Sequence, residues 1–99
     1  MMDEGTLNTL ATPWIERITA AFAMSARPAL TSDQQQAFGW LIGLWVRTAM
    51  YNGYPASTWP KLLNPHIEEW ARLNGIAAPR LTQVDENAGT VIMQHPEGY

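Results

Sequence analysis

Ninety-nine residues with a net charge of −3 and no cysteine describe one small domain and exclude disulfide frameworks and cysteine-ligated metal. A strong basic field, the usual footprint of phosphate-backbone binding, is absent, which disfavours nucleic acid as a partner. Only 15% of the side chains are charged, against about 25% in typical domains, so either part of the surface is not meant for water or Gln, Asn, Thr and Ser supply its polarity.

In chain order, residues 1–11 read as a leader with one apolar pair, Leu7 and Leu10. Its acidic start, Met1-Met2-Asp3-Glu4, is unlike the basic n-region of a secretory signal, and a cytoplasmic protein is expected. Thr12-Pro13 supplies an N-cap oxygen and a proline suited to the first helical position. A first helix is predicted from Pro13 to about Ala26, with Trp14, Ile18 and Phe22 on one face, ending before Pro28.

Ser32 with Gln35 matches a capping box, and Asp33 complements the positive helix end. The second helix runs to about Tyr51 and stops at Asn52-Gly53. Residues 37–46 carry no charge, and Arg47 is the only charged side chain between Asp33 and Lys61. A helix apolar on every side has no face to leave in water, so it is either the centre of the fold or covered by another chain. The run is about half a membrane span, and no membrane association is expected. Gly39 and Gly43 share a face and are read as a groove for Trp14 or Phe22.

Tyr54 to Thr58 read as a turn, followed by a short helix to Leu63 and, from the cap-then-proline pair Asn64-Pro65, another to Leu73 with Ile67, Trp70, Ala71 and Leu73 inward. Alternatively, residues 58–73 form one helix kinked at Pro65. Beyond Gly75, two β-prone runs, 81–84 and 90–93, flank the loop 85–89 and predict a short hairpin. The expected fold is a small, mainly α domain of three to four helices (core 12–74) with a C-terminal hairpin or extended tail at 75–99.

No catalytic or cofactor motif is visible, and no cofactor or enzymatic activity is expected. The two histidines, His66 and His95, lie in no nucleophile motif. His66 with Glu69, or His95 with Glu97, falls short of the three or four ligands a metal needs. The carboxylate pairs Asp3-Glu4, Glu68-Glu69 and Asp85-Glu86 are adjacent in sequence and diverge on regular elements. Residues 67–84, with Ala71, Gly75 and Ile76, are loosely similar to a helix-turn-helix, which would imply DNA binding. Asn74 and Pro79 depart from that pattern, and Asp85 and Glu86 would repel phosphate.

The aromatic cluster has three readings: core, partner interface, or a stacking platform for a small ligand. Trp40, Leu44, Arg47 and Tyr51 recur at helical spacing, and an arginine flanked by Trp and Tyr has the composition of a binding hot spot. The expected function is a non-enzymatic protein–protein interaction module, either an adaptor or structural subunit of an assembly or an inhibitor that masks a partner surface. The size is one common among small phage or mobile-element proteins. Its expected contact residues are Trp40, Arg47, Tyr51, Tyr54 and Trp59, facing a protein partner or a second copy.

Overall fold

A computed structural model describes residues 3–95. Helices α1 (Glu4–Ser25), α2 (Ser32–Tyr51) and α3 (Trp59–Leu73), the last entered through a 3-10 turn at Ala56–Thr58, precede strands β1 (Arg80–Asp85) and β2 (Thr90–Gln94). The fold is mainly helical with an antiparallel C-terminal hairpin, as the sequence predicts.

The first helix starts far earlier than Pro13. The Asp3 carboxylate accepts the Thr6 N–H at 2.7 Å, Glu4 complements the positive helix end, and Leu7, Ala11, Ile15, Ile18 and Phe22 continue one inward face. The segment read as a leader is therefore helix from Glu4 onward; Met1 and Met2 lie outside the described residues. Pro13 sits in the helix interior, where it deprives the Thr9 carbonyl of its amide partner. Both residues are exposed, so water can serve that carbonyl.

The capping box of α2 is one residue earlier than expected. Thr31 Oγ1 accepts the Gln34 N–H at 3.1 Å, and Gln34 Oε1 accepts the Thr31 N–H at 3.0 Å. The helix ends as predicted, with Gly53 at φ +72°.

Helices α1 and α2 are antiparallel neighbours. Asn8 meets Arg47, Ile15 and Thr19 approach Gly43 and Gly39, and Phe22 stacks on Phe38 with ring centroids 3.9 Å apart. The groove of the two glycines thus receives Ile15 and Thr19, one helical turn apart, rather than Trp14 or Phe22. Trp70 of α3 sets its edge against both Phe22 and Phe38, at 5.9 and 5.2 Å.

Residues 59–73 form the single helix of the alternative reading. Asn64 is no cap: its carboxamide is buried and bonded to the backbone of Leu81, while Pro65 takes an exposed position. Leu73 is exposed rather than inward. The hairpin packs β1 on α3 and β2 on α1. An irregularity between Leu81 and Gln83 puts both Leu81 and Val84 in the core, three positions apart where a regular strand would send them to opposite faces.

Candidate interaction face

Helix α2 has two unlike sides. Phe38, Ile42, Val46 and Ala49 are fully buried. On the other side Ala37, Trp40, Leu44, Arg47 and Tyr51 are all exposed, with Trp40 at 72%, Leu44 at 58% and Tyr51 at 58% of full exposure. The chain covers one face of its apolar helix and leaves the other open.

The open side forms one wall of a groove of about 840 Å³ between α1 and α2, with Leu7, Ile15 and Thr19 of α1 on the other. Gly39 and Gly43, lacking side chains, leave room for Thr19 and Ile15 of α1. Arg47 crosses the groove: Nε donates to Asn8 Oδ1 at 2.8 Å, and its guanidinium lies over Gly43, where a Cβ would come 2.8 Å from an arginine nitrogen. The one charge in the stripe is thus held flat along the face by a neutral partner.

Trp40, Arg47 and Tyr51 of the expected contact set come together here. Tyr54 does not join them. It is half exposed and lines a separate small hollow with Pro55, Thr58, Lys61 and Leu62. Trp59 is a correction. It is 3% exposed, its edge packs on Trp14 with centroids 5.9 Å apart, and Nε1 donates to the Tyr54 carbonyl at 3.2 Å. It is a core residue because the 3-10 turn rotates the start of α3 inward. The α1 contributors, Leu7, Asn8, Ile15 and Thr19, were missed. Their signal was the inward periodicity from Leu7 to Phe22, which runs straight through Pro13.

Elsewhere the candidate chemistry is occupied structurally. Asp3 caps α1, Glu68 pairs with Arg80 at 3.1 Å and Glu69 with Arg72 at 2.7 Å. Asp85 accepts the Asn87 and Ala88 amides of the hairpin turn, and Glu86 accepts the Ala56 amide. His66 stacks on Trp45 with ring centroids 3.8 Å apart; Glu97, the companion considered for His95, lies outside the described residues. Among the described residues no three of His, Cys, Asp and Glu gather as metal ligands, and no helix is long and apolar enough to cross a membrane. The helix-turn-helix does not form, because the stretch that would be its recognition helix is strand β1. Comparison with protein-family models, curated proteins and solved structures found no match.

Proposed function

We propose that this chain is a non-enzymatic protein–protein interaction module, an adaptor or structural subunit of an assembly or an inhibitor masking a partner surface, that docks through the open side of α2 and the adjoining edge of α1. The observation that carries the reading is the exposed row Trp40, Leu44 and Tyr51 beside an apolar groove. Isolated exposed apolar residues are ordinary, but a contiguous row of large ones is the mark of a surface used in association. Trp, Tyr and Arg are also the residues that dominate binding energy at such surfaces. A cytoplasmic setting suits a chain without cysteine.

The test is gentle purification from the cells that make the protein, followed by light scattering. The chain should be recovered at fixed stoichiometry with a protein, either another chain or its own copy. Leu44→Glu should release it while leaving the circular dichroism spectrum unchanged. Recovery of a lone chain, or of a complex indifferent to Leu44→Glu, would overturn the proposal.

A further inference from the structure

Resting on that reading, we infer that the occupant of the face is a second copy of this chain, packed with the two α2 helices antiparallel about a two-fold axis near Leu44. The argument begins with spacing. The exposed residues Ala37, Trp40, Leu44, Arg47 and Tyr51 step by three and four in alternation. This is the spacing of a single helix face that can pack lengthwise against another helix.

The order of residues along that face chooses the partner. Leu44 is the midpoint, and the two halves complement each other when one is turned end for end. Ala37, the small end, then lies beside Tyr51 of the second copy, the large end. Trp40 lies beside Arg47 of the second copy, an aromatic face against a guanidinium. Leu44 meets its own copy. Arg47 is prepared for this role: Asn8 holds Nε, the side chain lies flat over Gly43, and among the described residues its terminal nitrogens donate to no acceptor and no carboxylate pairs with it. A ring stacked over it would meet a charge that is oriented but not neutralised.

A parallel pair lacks this match. It would set Arg47 against Arg47, a like-charge contact in a water-poor seam, and Ala37 against Ala37, leaving a gap. An antiparallel pair also places opposite helix ends side by side, which the peptide dipoles favour. The area is adequate. A 20-residue helix is about 30 Å long, and with the edge of α1 the face is roughly 20 Å wide. About 600 Å² per copy then reaches the lower limit of specific interfaces, so a reversible dimer is expected rather than an obligate one.

The absence of cysteine makes cross-linking clean. Sedimentation of the purified chain over about 5 to 500 μM, where an interface of this size self-associates, should show a monomer–dimer equilibrium, and Leu44→Glu should abolish it while leaving the melting temperature unchanged at concentrations too low for the dimer to form. Leu44→Cys should form an intermolecular disulfide. Ala37→Cys alone should not, since its two copies lie about 21 Å apart along the axis and a disulfide needs Cα atoms within about 7 Å. Mixed Ala37→Cys and Tyr51→Cys chains should cross-link to each other. A monomer at every concentration overturns the inference, as does a dimer that survives Leu44→Glu, or Ala37→Cys cross-linking to itself, the mark of a parallel pair. If the chain is monomeric while Leu44→Glu still disrupts a complex with another protein, the second copy is ruled out and the docking reading stands. If neither association exists, both fall.

Discussion

The carboxamide of Asn64 closes two hydrogen bonds on one residue of the hairpin: Nδ2 donates to the Leu81 carbonyl at 2.8 Å, and Oδ1 accepts the Leu81 N–H at 2.9 Å. Both partners are buried. The side chain does for Leu81 what a third strand would do, at the position where β1 departs from regular pairing. Removing it strands a donor and an acceptor away from water. Asn64→Leu should therefore destabilise the fold by about 2 to 4 kcal/mol, the penalty of two unsatisfied backbone groups. Urea unfolding measures it, and a loss below about 0.5 kcal/mol, the level of a surface change, would show that water replaces the clasp.

Thr19 presents the opposite case. Its Oγ1 is buried without a hydrogen-bond partner among the described residues, close to Gly39 where α1 meets α2. Valine has the same shape without the hydroxyl. Thr19→Val should leave stability unchanged or raise it by up to about 1 kcal/mol. A clear loss would mean that an ordered water or a bound group uses that hydroxyl.

Acid should weaken the contributions of two surface carboxylates, Asp3 and Glu69. The Thr6 backbone amide donating to Asp3 holds that carboxyl below its ordinary 3.8, and the hydrogen bond from Arg72 holds Glu69 below its ordinary 4.5. A carboxyl whose folded pKa lies below its unfolded one stabilises the fold above the unfolded value and loses that contribution as pH falls through the folded value. Asp3→Ser keeps a capping oxygen but does not titrate. The advantage of the wild type over this variant should be full above about pH 5 and shrink as pH falls through and below the ordinary carboxyl value of 3.8. Thermal melts at several pH values measure it; a difference that does not vary with pH would remove the role given to the charge.

Two tryptophans should behave as opposites. Trp40 is open to solvent and Trp59 is closed off. Trp40→Ala should change monomer stability by no more than about 0.5 kcal/mol, whereas Trp59→Ala should cost about 3 to 5 kcal/mol through the cavity it leaves. Denaturant midpoints at low protein concentration, where association does not contribute, separate the two.

What the sequence showed and what it hid follow from the range of the forces involved. The Asn52-Gly53 stop, the hairpin and the central place of α2's apolar run were legible because caps, turns and hydrophobic spacing are local. Pro13 misled because a proline at the start of a helix and one tolerated on an exposed flank look alike until the packing of Leu7 and Ile15 is known. Asn64-Pro65 read as a cap for the same reason; only the arrival of Leu81, seventeen positions later, gives that asparagine its partner. Within the face, Trp40, Arg47 and Tyr51 could be grouped from helical spacing alone. Trp59 could not be assigned, because its direction depends on how the turn at Ala56–Thr58 rotates the following helix.

The backbone of Ala77 donates to the carbonyl of Arg27 at 2.7 Å, an isolated bridge between the stretch leading into α2 and the one leading into the hairpin. Two connections far apart in the chain are thereby riveted into a single joint. Peptide spliced into either of them would be felt by the other, so a tag or a transplanted epitope in one should disturb the seating of both α2 and the hairpin.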